Sequence, residues 1–283
     1  MIIKNLEILI SHGNISGRKI VLDILEAGLK AADPYDNIKR MIHIQGQKLI
    51  VGDKRFIGLP YRGESMSNAT IPLVFDLSEV GNIYVVGGGK AAQRMAKGIE
   101  DVLGDLITQG QVNAKKGEPA WCKRIHVTFA GHPIPDEDGV EGSMRIKEIE
   151  QKAKKGDVVF NLMSGGGSAL LALPAPGLTL KDVQDVTRML LFECGAAITE
   201  TNAVRGKLRM PFDERYESDA TYITIGTDEV PPAVSYAWSF EGAARRVSSL
   251  DPIDVLKRYD LWDKVSQQVR AHLETVRSDP RYQ

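Results

Sequence analysis

The sequence predicts an α/β fold with a mostly parallel sheet. Apolar strand patterns alternate with helix patterns between residues 81 and 199, and this alternation is typical of parallel sheets that helices cover on both faces. Glycine-rich segments follow two of the predicted strands, at residues 87–90 and 164–168. Ligands of such sheets bind beyond the carboxyl ends of the strands. We therefore expect a three-layer α/β/α, Rossmann-like domain whose functional site lies in these segments.

Each predicted element depends on a local pattern. Apolar residues recur at helical spacing between residues 16 and 32, and Gln45-Gly46-Gln47 separates two short apolar runs that predict a hairpin. Further along, strands are predicted at 82–86, 124–129 and 157–162, helices at 91–103 and 139–154, and a long helical region at 180–199. We interpret the chain as one domain, with a helical and hairpin lead (1–80), a core sheet (81–230) and a helical tail (231–283).

Composition excludes several classes of function. The chain has 283 residues, a formal net charge of −1 and 26% charged residues, so nothing predicts general attraction to nucleic acid or to a membrane surface. We see no apolar stretch long enough to cross a bilayer and no signal-peptide pattern at the amino terminus. Two cysteines, Cys122 and Cys194, occur without a CxxC motif. Reduced thiols and a cytoplasmic location are expected, and a cysteine-based metal site is not.

The most informative segment is a triple-glycine turn between a predicted strand and a predicted helix. It consists of Ser164, Gly165, Gly166, Gly167 and Ser168. Backbone N–H groups of such a turn can converge on an anion, and the start of a helix adds a favourable dipole. The alternative is a tight turn whose glycines only supply positive φ angles. The segment is not a Walker A sequence, because no Gly-Lys-Ser/Thr follows it.

Two other loops at the same predicted sheet edge contain residues suited to binding. In Gly87-Gly88-Gly89-Lys90, the lysine can reach a phosphate or a substrate oxyanion, or it can be a solvated lysine at a helix start. In the loop 131–136, His132 can bind a carboxylate or phosphate, or it can be a surface histidine without chemistry. Three glycine-bearing loops at one edge are more specific than any one of them.

Four ordered motifs make the segment from about residue 81 to residue 205 resemble the class II glycerate kinase family, which phosphorylates glycerate with ATP. The motifs are Val86-Gly87-Gly88-Gly89-Lys90-Ala91-Ala92, Ala130-Gly131-His132-Pro133-Ile134-Pro135-Asp136, Met163-Ser164-Gly165-Gly166-Gly167-Ser168-Ala169-Leu170-Leu171 and Glu200-Thr201-Asn202-Ala203-Val204-Arg205. The resemblance implies the family's fold and a small-molecule substrate.

The resemblance also implies residue roles. Lys90 falls on a catalytic candidate of the family, and Asn202 and Arg205 match positions that line the same cleft. Because phosphoryl transfer needs positive charge around the moving group, we take Lys90 and Arg205 as catalytic candidates. Nucleotide or phosphate binding is assigned to the glycines and serines of two loops: Gly87, Gly88, Gly89, Ser164, Gly165, Gly166, Gly167 and Ser168. His132, Asn202 and Asp228 are assigned to the substrate cleft. ATP and Mg²⁺ are implied, and the metal ligands are unknown.

The chain departs from the family pattern after Arg205. Gly206, Lys207 and Arg209 stand where the family usually has lysine, histidine and serine. Downstream, Asp228 retains only the first aspartate of the family's aspartate-rich loop. The family's second domain, which closes the cleft and contributes a catalytic arginine, has no counterpart in this sequence, so we expect other protein subunits to supply the missing wall. Apolar residues alternate within 231–240, as in an interface or an ordinary edge strand.

These observations leave three hypotheses about function. The first is an ATP- or phosphate-binding subunit of a larger ATP-dependent enzyme, for which a ketone carboxylase of the acetophenone carboxylase type is a candidate assembly. The second is a stand-alone glycerate 2-kinase that phosphorylates a small hydroxy acid. The third is a catalytically inactive binding or regulatory protein. The changes at 206–209 count against the second hypothesis, and the retained Lys90 and glycine turn count against the third.

Overall fold

A computed structural model of the chain describes residues 2–52, 72–210, 219–227 and 250–278. Asp228 and the alternating segment 231–240 lie outside the described residues, so the two predictions made for them are not addressed by the structure. In the described ranges, no helix is both long enough and apolar enough to cross a membrane.

The amino-terminal region is built of helices and a small antiparallel sheet. Its helices are α1 (Leu6–Leu9), α2 (Ile15–Ala31) and α3 (Pro34–Met41), and its strands are β1 (Ile42–Gln45), β2 (Lys48–Val51) and β3 (Leu73–Asp76). β1 and β2 form the predicted hairpin around Gly46, and β3 adds to β2 in antiparallel orientation. The start of α3, a helix that the sequence analysis did not predict, is favoured by Pro34 in its first turn and by the Asp33 side chain, which accepts a hydrogen bond from the Tyr35 amide.

The central region contains the strands and helices that the sequence predicts, together with one further strand at 107–115. Its elements are β4 (Ile83–Gly88), α4 (Ala92–Leu103), β5 (Ile107–Lys115), β6 (Ile125–Ala130), α5 (Glu137–Lys152), β7 (Val158–Met163) and the single-turn α6 (Gly167–Leu170). A short 3₁₀ turn, Gly104–Leu106, connects α4 to β5. The remaining described elements are α7 (Leu180–Arg188), a π-helical turn (Met189–Glu193), α8 (Ile198–Lys207), β8 (Thr221–Gly226), α9 (Pro252–Arg258) and α10 (Gln267–Ser278).

The five central strands form one parallel sheet in the order β6-β5-β4-β7-β8. The chain moves outward from β4 through β5 to β6 and then returns to the other side of β4 with β7. The strand order therefore reverses between β4 and β7, and this is the position at which doubly wound sheets bind ligands. The predicted α/β fold with a Rossmann-like parallel sheet is confirmed.

Helices cover both faces of the sheet. Ile83 and Val85 of β4 pack in one buried cluster with α3, α4 and the β1–β2 hairpin, whereas Tyr84 and Val86 of the same strand pack with α5 on the opposite face. Successive side chains of a strand point to opposite faces, so a continuous apolar run is needed when both faces are covered. This arrangement confirms the three predicted layers.

A second apolar core lies among the carboxyl-terminal helices. Side chains of α7, α8, α9 and α10 pack around buried Leu190, Val204 and Leu256. The helical region predicted at 180–199 is present but not continuous: α7 passes into the π-helical turn, and residues 194–197 separate this turn from α8. The next strand after α4 was also missed: β5 carries Gln109, Gln111 and Asn113 between its apolar residues, and these polar side chains hide the strand pattern.

Helix α2 has the predicted apolar stripe, but this stripe is exposed rather than buried among the described residues. Its N-terminus is capped by Asn14, whose side chain accepts a hydrogen bond from the Gly17 amide. The large apolar side chains of its stripe are nevertheless exposed in the part of the chain that the structure describes: Ile20, Val21, Ile24, Leu25 and Leu29.

Candidate functional site

The three loops predicted to meet at one sheet edge do meet there. Gly166 lies between the other two loops: a Cβ atom added to it would lie 3.0 Å from the His132 ring and 3.3 Å from the Lys90 Cγ. Lys90 is exposed and His132 is half-buried. The rim formed by these loops, which we call the three-loop rim, lies beyond β4, β6 and β7 at the strand-order reversal.

The glycines at the end of β4 and directly after it are required by close backbone packing; β4 extends past the predicted strand to include Gly87 and Gly88. Gly87 and Gly89 have φ angles of +145° and +142°. A Cβ on Gly87 would overlap the Leu162 carbonyl oxygen, and one on Gly89 would overlap Ser164. Larger side chains are therefore excluded on steric grounds alone. The role of Gly87, Gly88 and Gly89 in nucleotide binding stays a prediction.

Hydrogen bonds join the loop after β4 to the triple-glycine turn. The Lys90 amide donates to the Gly165 carbonyl over 2.8 Å, and the Gly89 amide donates to the Asn113 carbonyl over 3.0 Å. The Ala91 amide donates to the Ser164 hydroxyl oxygen over 3.0 Å. The amides of the first loop thus hold the two loops together. This contact fixes the base of the Lys90 side chain beside the turn.

The triple-glycine turn itself has a different hydrogen-bond pattern. Gly166 adopts a left-handed conformation with φ +90° and caps α6. Within the described residues, the amides of Gly165, Gly166 and Ser168 have no acceptor. α6 is only four residues long, so the dipole at its start is that of one turn. The turn can therefore bind an anion through its backbone amides. The dipole of α6 adds less to anion binding than the sequence analysis expected, because the helix has only one turn.

Arg205 lies behind the triple-glycine turn and is only 3% exposed. Its Nη2 donates to the Ser168 hydroxyl oxygen over 2.8 Å and to Asn202 Oδ1 over 2.6 Å. Its Nη1 lies 3.5 Å from the Pro133 carbonyl oxygen, in the loop that carries His132. Burial lowers the pKa of Arg205 to about 10, so the guanidinium is charged at neutral pH. The structure thus groups Arg205 and Asn202 with two of the three loops.

The charge of Arg205 has no carboxylate partner in the described parts of the chain, where the only cause lowering its pKa is burial. Its buried Nε also has no hydrogen-bond partner there. A buried cation is costly unless an opposite charge or enough acceptors compensate it. An anion bound at the turn would provide that compensation.

Two residues near the site have roles that the sequence did not indicate. Asn113, fully buried at the end of β5, donates through Nδ2 to the Leu170 and Gly139 carbonyls over 2.8 and 3.0 Å. The carboxylate of Glu200, in the Glu-Thr-Asn motif, accepts hydrogen bonds from the Tyr259 hydroxyl and from Arg258. The Tyr259 hydrogen bond lowers the pKa of Glu200. Polar residues within β5 were the available signal for Asn113.

A resident metal site is not visible in the described ranges, which hold no group of three His, Cys, Asp or Glu side chains able to bind an ion. Asp136, the acidic residue of the second loop, is engaged elsewhere. It caps α5 by accepting from the Gly139 amide over 3.0 Å, and it pairs with Lys116. The three-loop rim is therefore a site of amides and cations.

Comparison with known proteins identifies the family. Residues 20–210, more than half of the chain, match a family described as a domain of unknown function (DUF4147), and the chain belongs to this family. It is 34% identical over 270 residues to a glycerate 2-kinase of Pyrococcus horikoshii, which covers 91% of this chain and 54% of that protein. It is 32% identical over 205 residues to a D-glycerate 2-kinase of Thermotoga maritima, covering 69% and 49% of the two proteins.

Two solved structures are similar to this chain in fold as well as in sequence. A crystal structure of a Pyrococcus horikoshii protein has a TM-score of 0.69 and 31% sequence identity over 91% of this chain and 54% of that one. A crystal structure of a Thermotoga maritima glycerate kinase has a TM-score of 0.56 and 30% sequence identity, and the match covers 69% of this chain and 47% of that one. The predicted resemblance to glycerate kinases is confirmed. The chain spans about half the length of the curated relatives it matches.

Proposed function

We propose that this chain binds the phosphates of ATP at the three-loop rim and takes part in phosphoryl transfer to a small hydroxy acid of the glycerate type. The observation that carries the proposal is the grouping of Gly166, His132 and Lys90 in front of the buried Arg205. The names of the relatives support the reaction class, because those of Pyrococcus and Thermotoga are glycerate 2-kinases.

The rim matches the needs of phosphoryl transfer. Such a reaction depends on positioning and on stabilising negative charge that spreads over the transferred group. In our proposal, the amides of Gly165, Gly166 and Ser168 bind phosphate oxygens, and the Lys90 ammonium neutralises charge at the exposed side. Arg205 acts from behind the turn, where it fixes the Ser168 hydroxyl and adds positive potential. ATP supplies the phosphoryl group, and Mg²⁺ accompanies it as the usual counter-ion of its phosphates.

His132 is the candidate contact for the acceptor. Its ring lies 3.0 Å from the position of a Gly166 Cβ, so an acceptor carboxylate bound by the ring would lie close to the phosphate-binding turn. Proximity of the acceptor hydroxyl to the phosphorus contributes to the rate because it removes the entropy cost of bringing the reactants together. Asn202, which contacts Arg205, borders the same region.

Glycerate kinase chemistry is better supported than membership of a carboxylase. The relatives from Pyrococcus and Thermotoga are named glycerate 2-kinases, and the carboxylase hypothesis rests on no motif of the sequence. The partner subunits that would complete the cleft stay a prediction, as do the cytoplasmic location, the Mg²⁺ ligands and the role of Asp228.

Calorimetry with ATP and Mg²⁺ tests the proposal on the full chain. We expect Lys90→Ala to weaken ATP binding about tenfold, the loss typical of one charge-assisted contact. Lys181→Ala is the matched control, because Lys181 is an exposed lysine on α7 that pairs with Asp185 away from the rim, and we expect it to bind like the parent chain. ATP-dependent phosphorylation of glycerate is then measured with the parent chain and both variants.

Equal ATP affinity in the parent chain and Lys90→Ala would overturn the assignment of the rim. So would an absence of ATP binding by the parent chain at millimolar concentration. Binding without phosphorylation of glycerate would retain the phosphate site and reject the acceptor, and other 2- and 3-carbon hydroxy acids would then be compared under the same conditions.

A further inference from the structure

One internal residue, Asn113, is hydrogen-bonded to three segments that belong to the rim loops or directly follow them. This side chain has no exposed surface and lies at the carboxyl end of β5, beside β4. Its Nδ2 donates to the Leu170 carbonyl over 2.8 Å and to the Gly139 carbonyl over 3.0 Å. Its backbone carbonyl accepts from the Gly89 amide over 3.0 Å. Three segments that are distant in sequence are thus bonded to one amino acid.

Each of these bonds reaches a different part of the rim. Leu170 ends α6, the turn of helix that follows the triple-glycine turn. Gly139 lies in the first turn of α5, directly after the loop that carries His132, and is held there by Asp136. Gly89 precedes Lys90. We propose that Asn113 is a positioning residue that fixes the three loops relative to one another. Its effect on ATP affinity rests on the proposed function, whereas its effect on loop order does not.

The groups around the Asn113 side chain require both a hydrogen-bond donor and an acceptor, which an asparagine supplies. Nδ2 faces three acceptors, the carbonyl oxygens of Leu170 and Gly139 and, at 3.3 Å, the Ser143 hydroxyl oxygen. Oδ1 accepts from Gln111 Nε2 over 3.2 Å. Gly142 of α5 packs against the same amide, and a Cβ there would overlap Asn113 Oδ1. An aspartate has the same shape but no donor. It would place carboxylate oxygens against two carbonyl oxygens in a buried space, which is unfavourable.

The test compares Asn113→Asp with Asp157→Asn in the full chain. Asp157 is a matched control, because it is 1% exposed and also binds backbone groups, but at the opposite end of the sheet. It accepts from the Asn82 and Lys154 amides over 2.8 and 3.0 Å. Hydrogen exchange of backbone amides is measured by mass spectrometry for both variants, and ATP affinity is measured by calorimetry, well below the unfolding temperature of each variant.

We expect Asn113→Asp to raise exchange about tenfold or more in all three segments, 87–91, 131–139 and 165–170, and to weaken ATP binding by about the same factor, since small displacements of binding groups are costly. Asp157→Asn is expected to leave exchange in these segments and ATP affinity within about twofold of the parent chain. A purely structural loss of stability would affect both variants alike.

Other outcomes are equally informative. Unchanged exchange in the three segments of Asn113→Asp, or equal changes in both variants, would overturn the positioning role. If Asn113→Asp does not fold, Asn113→Ser, which retains one donor, replaces it and is judged by the same criteria. If the parent chain and Lys90→Ala bind ATP equally, the proposed function fails, and the exchange measurement still decides the role of Asn113.

Discussion

Two neighbouring segments of this protein contain three consecutive glycines but use them differently. At the end of β4 and directly after it, Gly87 and Gly89 make room for backbone contact, and the amides of Gly89 and Lys90 have internal acceptors. In the turn after β7, Gly166 faces His132 and Lys90, and the amides of Gly165 and Gly166 have no acceptor among the described residues. A glycine run alone does not therefore identify a binding site; the acceptors of its amides do.

The largest expected effect is at Gly87, near the end of β4. Gly87→Ala would place a Cβ on the Leu162 carbonyl oxygen, and neither backbone can move without breaking the sheet. We expect the free energy of unfolding in urea to fall by about 4 kcal/mol. Gly156→Ala is the control, because Gly156 also has a positive φ, +92°, but open space around it, and its cost is about 1 kcal/mol. Similar losses in both variants would contradict the packing role of Gly87.

A smaller loss of stability is expected when Glu100 is changed, because its buried carboxylate accepts hydrogen bonds from backbone amides. Glu100 of α4 accepts hydrogen bonds from the amides of Lys123, Arg124 and Ile125. Burial raises the pKa of Glu100, but these amide bonds outweigh burial and keep it below the usual 4.5. Glu100→Gln should lower the free energy of unfolding by about 2 kcal/mol at pH 7. This contact shows how an anion satisfies consecutive amides in this fold.

The pH dependence of that loss follows from the sign of the shift. A carboxylate with a depressed pKa stabilises the folded state above pH 4.5, and the contribution disappears as the pH falls through the lower folded value. The difference between the parent chain and Glu100→Gln should therefore shrink as urea unfolding is measured at successively lower pH below 4.5. A difference that stays constant over this range would show that the charge of Glu100 contributes nothing.

The smallest loss of folding stability is expected at the triple-glycine turn, where a substitution should instead weaken ATP binding. Gly166→Ala strains a residue with φ +90° and crowds His132 at 3.0 Å. We expect about 1 kcal/mol of lost stability and about a tenfold loss of ATP affinity, equal to about 1.4 kcal/mol. Gly177→Ala carries the same strain, at φ +86°, with nothing nearby, and should bind ATP normally. Equal affinity loss in both variants would remove the turn from the binding site.

The fold class could be predicted because its signals are local. Continuous apolar runs at β4 and β7 follow from burial on both faces of a parallel sheet, and the glycine turn stands directly after β7. The strand β5 could not be predicted in this way. Its polar residue Asn113 is stabilised by Gly139 and Leu170, 26 and 57 residues further along the chain, and no local pattern reports such partners.

The site was predictable to a similar extent. Lys90, His132 and Gly166 each follow a strand end, and parallel strands bring their carboxyl ends to one edge, so their proximity follows from topology. The contact between Arg205 and Ser168 depends on how α8 packs, and only the resemblance to a known family indicated it. The apolar stripe of α2 predicted a helix, but sequence periodicity does not say whether such a stripe is covered.

The second apolar core has a consequence for synthesis of the chain. Val183, Leu190 and Val204 pack against Leu256, Val269 and Leu273, so the two halves of this core leave the ribosome at different times. Once β8 has emerged, the five strands that the structure describes in the parallel sheet have all been made, yet α7 and α8 still lack α9 and α10, which pack against them. The nascent protein therefore passes through a stage in which apolar side chains of α7 and α8 are uncovered, and chaperones that recognise apolar surface can bind at that stage.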